Sequence, residues 1–415
     1  MLDIQFIRDN PDLVAEKSKL KGYEVDITQL LGFDGQRRQL TKQVDELRQK
    51  RNELSSANKG QKPSDEQVEK GRQIKEELTK LEHQLSSVDK EYQDLLENVP
   101  NIVPDDTPEG GEENNRPEKT WGEPRQDTVQ DHLTWGESRE LIDMERGAKV
   151  AGNKFYFLKG ALVQLELAVF QYGLEVATKH GFNPITVPHM VNTNILKGTG
   201  FVPKSEVEDQ IYKVEGEDLS LIGTAEIPIT GYYAGEIIDA AKLPILFAGI
   251  SPAYRREAGA YGKFSRGLYR VHQFNKLELY VFCAPEDAET WHHKLVEIEE
   301  ELCQGLEIPY RLVRIAAGDL GMPAYKKYDI EYWSPVDKSY RELMSCSNVT
   351  DFQARRLGIR YKKADGTIDY VNSLNGTAAA FSRVCIAIIE NNQTEDGQVK
   401  IPEVLRKYMN DRTLI

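Results

Sequence analysis

Two stretches near the N-terminus carry apolar residues at helical spacing. Leu40, Val44, Leu47 and Leu54 step by 4, 3 and 7. After a polar break at 58–64, Ile74, Leu78, Leu81, Leu85, Val88, Tyr92, Leu95 and Val99 step by 4 and 3 without a miss. A mean repeat near 3.5 keeps one apolar seam along a helix. The spacing therefore predicts two helices folded as an antiparallel coiled-coil hairpin about a Lys-Gly-Gln-Lys-Pro turn. At about 1.5 Å per residue, a second helix of roughly 35 residues reaches about 50 Å. Such an arm has too little core to be a globule and is expected to project. Residues 1 to about 30 read as a helical lead-in, with Asn10-Pro11-Asp12 as a start signal. Periodicity alone fits a spacer or dimerisation element better than a binding role.

From 100 to 125 the pattern dissolves into Pro, Gly, Asn and acidic residues, as in a linker. Residues 161–180 are apolar around most of a helix, so that helix should be buried. Strand patterns follow at GFNPITVPHMV, near 219–222, and at 310–316, 328–333, 340–345 and 368–374. A helix is expected over 285–305. A small-residue turn at Asn375-Gly376 should lead into a helix over 377–391, with a short helix from Pro402. Strands that follow one another without βαβ alternation indicate an α+β fold on an antiparallel β-sheet flanked by helices. The expected division is an N-terminal domain at 1–100, a linker at 101–125 and a second, larger domain at 126–415, which carries these strands.

The stretch Ser251–Cys283 reads as strand, glycine-rich loop, strand. In its second half Arg270, His272, Phe274, Lys276 and Glu278 share one face, while Val271, Gln273, Asn275, Leu277, Leu279 and Val281 share the other. By the same rule Arg255 and Glu257 share a face. The loop 258–267 holds three glycines with Lys263 and Arg266, which suits a flap over a polyanion. Arg383 has Ala379, Ala380, Ile386 and Ala387 as helical neighbours, so its charge must meet a partner or a ligand. Glu342 is a hard-oxygen donor of the kind Mg²⁺ takes, but simple alternation puts Ser345 on the opposite face unless the strand bends. Gly223-Thr224-Ala225-Glu226 offers a hydroxyl and a carboxylate in one turn.

Composition narrows the classes. The chain has 415 residues, 40% of them hydrophobic, and a net charge of −14, which argues against a general nucleic-acid binder. Between Asp34 and Lys62, however, eight basic residues (Arg37, Arg38, Lys42, Arg48, Lys50, Arg51, Lys59, Lys62) face four acidic ones, a local excess of 8 − 4 = +4. Such a stripe can hold a nucleic-acid backbone. The four cysteines are scattered with no C-x-x-C pair, so neither disulfides nor a cysteine zinc site is expected. No run has the length of a membrane span, and a cytoplasmic protein is expected. GxGxxG and GxxxxGK[ST] are both absent, which leaves Rossmann and P-loop nucleotide sites unsupported.

Together these pieces resemble the class II aminoacyl-tRNA synthetases and, within them, the seryl-tRNA synthetase family, across nearly the whole chain. GFNPITVPHMV, with Pro188, is similar to the dimer-forming motif 1 of the class. YRREAG…RGLYRVHQFNKLE is similar to motif 2, and LNGTAAAFSRVCIAIIENNQ to motif 3. The heptad hairpin, GTAE and RELMSCSNVTDFQARR mark the seryl member. The resemblance implies a homodimer that activates L-serine with ATP and Mg²⁺, without zinc, and passes the seryl group to the 3′ end of tRNA(Ser). The arm would hold the tRNA, and tRNA(Sec) is left open as a second substrate.

Carried over by position, the resemblance implies Arg255, Arg383 and Glu342 as catalytic. An ATP site would comprise Arg255, Arg256, Glu257, Val271, His272, Gln273, Phe274, Glu342, Leu343, Met344, Ser345 and Arg383. Arg255 would grip the α-phosphate and the serine carboxylate, Glu257 the adenine amino group, Phe274 the base and Arg383 the γ-phosphate. Glu342 and Ser345 would lie at the Mg²⁺ site. Thr224, Ala225, Glu226, Arg255, Glu278, Asn375 and Thr377 would line the serine pocket. The motif 3 turn departs from a common GSGLAVGR-like run, with Thr377 for serine and Ala378 for glycine, and Lys154 stands where arginine is common. A paralogue that has lost aminoacylation would be expected to have broken motifs; a ligase loading carrier proteins would lack the arm and use zinc.

Overall fold

The computed structural model describes residues 1–57, 64–201, 210–258 and 266–415. Lys59 and Lys62 of the basic stripe, and Lys263 with Gly259 and Gly262 of the expected flap, lie outside them. The chain divides into two compact units, Met1–Ile102 and Val103–Ile415.

The first unit is helical: α1 (Ile4–Asp9), α2 (Pro11–Leu20), α3 (Ile27–Ala57) and α4 (Asp65–Asn98). Asp3 caps α1 by accepting from the Gln5 amide, and Pro11 occupies the first turn of α2, where a missing N–H costs nothing. Helix α4 starts with a capping box between Ser64 and Gln67. Ion pairs Arg37–Asp89 (2.7 Å) and Arg48–Glu82 (2.8 Å) join positions whose numbers rise on one helix and fall on the other, so α3 and α4 run antiparallel. Val44, Leu47 and Leu78 are buried between them, with Leu81 and Leu85 alongside. At the base, Ile7, Val14, Ile27, Leu30, Tyr92, Leu96 and Val99 form a second core. Arg8 clamps it by a two-pronged bond to Asp34, 2.7 Å on each arm.

The second unit is built on one eight-stranded sheet: β1 (Arg116–Trp121), β2 (Asn183–Thr186), β3 (Ile245–Tyr254), β4 (Gln273–Cys283), β5 (Tyr310–Arg314), β6 (Lys326–Ser334), β7 (Ser339–Asn348) and β8 (Asn372–Ala380). The order is β1-β5-β6-β7-β8-β4-β3-β2, with every pair antiparallel except β2–β3. This is the α+β architecture expected from the strand pattern, with one parallel edge. The stretch 101–125, linker-like in composition, supplies the edge strand β1. Helices α5 (His132–Ser138), α6 (Ala161–Lys179), α7 (Glu226–Gly231), α8 (Ala288–Gly305), α9 (Phe352–Leu357) and α10 (Phe381–Asn391) pack around the sheet.

One segment folds differently from its sequence pattern. Residues 375–380 were expected as a turn and a helix start, yet Asn372–Ala380 is one continuous strand, and the helix begins only at Phe381. Alanine's helix preference loses to sheet pairing here: Leu374–Gly376 pairs with β7, and the pairing with β4 runs on to Ala379 and Ala380, opposite Leu277 and Lys276. Small residues are needed for another reason. A Cβ on Gly376 would lie 3.0 Å from Glu299 Oε1 and 3.5 Å from Leu295 Cδ2 of α8, so the bare strand lets that helix sit close. Ala379 and Ala380 are therefore strand residues, and only Ile386 and Ala387 remain helical neighbours of Arg383.

Candidate active site

Strand β4 has no solvent face over most of its length. Leu277, Leu279, Val281 and Cys283 enter the main core, while Tyr280 and Phe282 enter a second cluster on the opposite side of the sheet. Lys276 and Glu278 share that second side, as the alternation required, and both are buried. The alternation fails at the strand's start: β4 begins at Gln273, so Arg270, Val271 and His272 precede it. Likewise β3 ends at Tyr254, and Glu257 sits beyond it at φ +47°, in a turn. Arg255 and Glu257 thus come together through a turn and not through strand periodicity.

One half of the site is a closed polar pocket. Thr224 donates to Glu278 Oε2 (3.2 Å), and Asn375 Nδ2 donates to Glu278 Oε1 (3.1 Å). Lys276 Nζ forms an ion pair with Glu278 and reaches Thr224 Oγ1 at 3.4 Å. Thr377 stands opposite Glu278 in the β8–β4 register and is buried. Ala225 and Glu226 complete the floor, both buried. Burial and the neighbouring Glu278 push the Glu226 carboxyl up to about 7, against a 2.7 Å bond from Gln353 Nε2. Gln353 is 0% exposed; its Oε1 accepts from Tyr280 and Ser373, and its Nε2 also donates to the Thr199 carbonyl. It fixes the direction of Glu226.

The other half is rich in cations and more open. Arg255 Nε donates to the Gly223 carbonyl (3.2 Å), and its guanidinium lies over the Phe274 ring at 5.3 Å. Burial lowers its proton affinity, and the like charge of Arg383 adds to this. Arg383 pairs with Glu342 at 3.0 Å and lies 4.9 Å over Tyr269, whose ring also carries Arg341 at 5.1 Å. Burial opposes ionisation of Glu342, but Arg383, Lys327 and Arg255 outweigh it and hold the carboxyl at about 2. Its side chain keeps 43% exposure, so it is ionised and reachable. Glu257 is held by Arg270 at 3.4 Å. His272 is tied to Arg255 through both backbones, its carbonyl accepting from the Arg255 amide (3.0 Å) and its Nδ1 lying 2.9 Å from the Arg255 carbonyl. Val271 is buried, Gln273 and Arg256 are exposed, and the Arg256 amide donates to the Gln210 carbonyl.

The bend that Glu342 and Ser345 require is present. In the β6–β7 register Ile330 faces Met344 and Glu331 faces Glu342, so Leu343 is one residue too many. This bulge resets the alternation and puts Glu342 and Ser345, opposite Glu331 and Asp329, on one face. Leu343 and Met344 bury their side chains in the core, which leaves only their backbone to a ligand. Asp329, beside Ser345, has an Oδ1 with no hydrogen-bond partner, and burial pushes it up to about 7 despite Lys327 at 3.0 Å. Among the described residues no group of three or more His, Cys, Asp or Glu side chains is placed to hold a metal alone. A single carboxylate with a hydroxyl beside it does fit Mg²⁺, which takes most of its ligands from water and phosphate.

Sequence reasoning missed Gln353 and Tyr269, and placed Lys276 on the charged face of its strand without giving it a role. The signals were slight: a glutamine between Phe352 and Ala354, and a tyrosine just after the loop.

An antiparallel sheet that carries an arginine beyond one strand, a second arginine on a following helix and a carboxylate between them defines a class II aminoacyl-tRNA synthetase core. The family model described as the tRNA synthetase class II core domain (G, H, P, S and T) matches residues 209–392, and the seryl-tRNA synthetase N-terminal domain matches residues 1–103. A serine–tRNA ligase of Dictyoglomus turgidum is 42% identical over 99% of this chain and 98% of its own length. That of Treponema denticola is 43% identical over 98% of each. The seryl-tRNA synthetase of Pyrococcus horikoshii, solved with ATP, superposes with a TM-score of 0.90 at 38% identity, covering 100% of this chain and 99% of that one. The chain belongs to the seryl-tRNA synthetase family.

Proposed function

We propose that the protein is a serine–tRNA ligase that activates L-serine with ATP and esterifies tRNA(Ser). The observation that carries this reading is the bond from Arg255 Nε to the Gly223 carbonyl, which ties the phosphate-side arginine to the turn that opens the carboxylate pocket. One cation can then touch both reactants.

In the first half-reaction a serine carboxylate oxygen attacks the α-phosphorus of ATP. The bond to the bridging oxygen breaks, and pyrophosphate leaves. The nucleophile is already ionised, so positioning and charge neutralisation dominate over proton transfer. Arg255 would hold the α-phosphate and the serine carboxylate, Phe274 the adenine face, Glu257 its amino group and Arg383 the γ-phosphate. Arg256, Val271, His272, Gln273 and the backbone of Leu343 and Met344 would border the nucleotide. The anionic pocket of Glu226 and Glu278 suits the serine ammonium, and Thr224, Asn375 and Thr377 supply partners for its hydroxyl. Alanine would leave these groups unpaired, and threonine would overfill the space. Glu342 and Ser345 would hold Mg²⁺, which when bound neutralises phosphate charge. In the second step the 3′-terminal ribose hydroxyl attacks the carbonyl carbon, and AMP leaves.

The hairpin, read as an antiparallel coiled coil, would hold the tRNA backbone. Arg37 and Arg48 are spent on ion pairs within it, while Arg38, Lys42, Lys50 and Arg51 are exposed. A second copy is the natural cover for Val163 and Leu167, exposed on one face of α6, next in sequence to the edge strand β2. Translation sets a cytoplasmic location; no described helix is long and apolar enough to cross a membrane. Charging of tRNA(Sec) is a matter for the same assay with that tRNA.

Serine-dependent exchange of pyrophosphate into ATP tests the reading. No exchange with serine, or faster exchange with another amino acid, overturns it. Deleting about residues 35 to 95 should leave exchange largely intact and abolish tRNA charging; charging that survives makes the arm a spacer.

A further inference from the structure

The chain on leaving residues 259–265 is gripped by the first turn of α5, a helix far away in sequence. Arg266 reaches Thr134 Oγ1 at 3.1 Å and lies 3.7 Å from Asp131. Gly267 follows at φ +64°, and a Cβ there would overlap His132 Nε2. The Leu268 amide then donates to His132 Nε2 at 3.2 Å, within the protein interior. An N–H donor at Nε2 fixes the imidazole: Nε2 must be the acceptor, so Nδ1 carries the proton. That proton points at Glu390 Oε1, 2.9 Å away, while Glu390 Oε2 accepts from Ser334 at 3.0 Å. His132 is 5% exposed.

Glu390 lies on α10, the helix whose first turn carries Arg383. The residue after Leu268 is Tyr269, whose ring faces Arg383 at 4.9 Å, and the next is Arg270, which holds Glu257. The segment 266–270 is therefore attached to α10 twice, at one end through His132 and Glu390 and at the other through the Tyr269 ring. We infer that His132 is a positioning residue for ATP: by accepting from the Leu268 amide and donating to Glu390, it sets the ring that orients Arg383. This rests on the ATP site proposed above and adds a residue to it that touches no substrate.

Two near-isosteres separate its two bonds. In His132→Asn the amide nitrogen takes the place of Nδ1, so the Glu390 contact stays and the Leu268 contact goes. In His132→Gln the amide oxygen reaches the place of Nε2 and restores the acceptor. Hydrogen exchange at the Leu268 amide reads the anchor directly and needs no substrate. Protection is expected in the wild type and in His132→Gln, with about 10-fold loss in His132→Asn. In pyrophosphate exchange, His132→Asn should raise the KM for ATP about 5- to 10-fold with the KM for serine within 2-fold, and His132→Gln should recover most of it. Equal Leu268 protection in all three proteins overturns the proposal. So does lost protection with no change in the KM for ATP, since the bond would then be merely structural. If the wild type shows no serine-dependent exchange, ATP binding followed by equilibrium dialysis replaces the KM; the ligase reading then falls, and the His132 inference is judged on that affinity alone.

Discussion

The two halves of the site solve opposite electrostatic problems. In the pocket of Thr224, Glu226, Lys276, Glu278 and Asn375, carboxylates are taken out of water and each is held by neutral donors or by Lys276. On the other side, Arg255 and Arg383 are brought together, and Glu342 is the carboxylate that steadies them. The same residue type, glutamate, answers in opposite directions: burial and Glu278 raise Glu226 to about 7, whereas Arg383 and its cationic neighbours overcome burial and hold Glu342 at about 2. Each half is short of the charge that its proposed reactant brings, an ammonium in the first and phosphates in the second. Unliganded, each stores an imbalance that binding relieves.

The sharpest break would come from Arg383→Ala, which strips the phosphate half of a cation aimed at developing charge. Exchange should fall by about 10³-fold, and the serine KM should move little. A comparable rise in serine KM would mean that the halves are not separable. Glu278→Gln attacks the other half. Its serine KM should rise about 100-fold with the ATP KM nearly unchanged, the cost of removing a charge-assisted partner in a buried site. Melting should also drop, since Lys276 loses its counter-ion, and serine should no longer raise the melting temperature. The smallest effect is in pH. Serine's ammonium needs Glu226 ionised, so the serine KM should decrease several-fold as pH rises from 6 to 8, with an inflection near 7 that Glu226→Gln removes. Stability moves the other way. The raised Glu226 binds its proton more tightly folded than unfolded, so its contribution is present below the ordinary 4.5 and lost as pH rises through about 7. Glu342 contributes above 4.5 and loses that contribution as pH falls toward 2. The melting curve of Glu226→Gln should therefore part from the wild type as pH rises through about 7, with the variant the more stable, and that of Glu342→Gln should lie below the wild type at neutral pH and rejoin it as pH falls toward 2.

The helical hairpin was legible because periodicity is local: the residues from Val44 to Leu85 that mark the seam are the ones that touch. The sheet was legible for the same reason where strands alternate. Two things were not. Asn375–Ala380 looks like a turn and a helix start because its residues are small, and the need for small residues arises from α8, some 80 positions earlier in the chain. The bulge at Leu343 exists only in the pairing with β6, so no property of the strand's own residues announced it. Thr224, Glu278 and Arg383 stood out from their own surroundings, a polar turn, a charged strand face and apolar neighbours, and only the roles proposed for them came from resemblance. His132 and Gln353 act over 136 and 127 positions, on Leu268 and Glu226, and spacing along the chain holds no trace of such partners.

The Leu343 bulge has a consequence for how genes of this kind can change. Loss of a single codon in a surface loop shortens a loop. In a paired strand it normally turns every residue beyond it to the other face, but loss of the Leu343 codon would remove the extra residue and leave Glu342 and Ser345 two places apart, still on one face opposite Glu331 and Asp329. The bulge is thus a place where this strand can shorten without parting the two side chains.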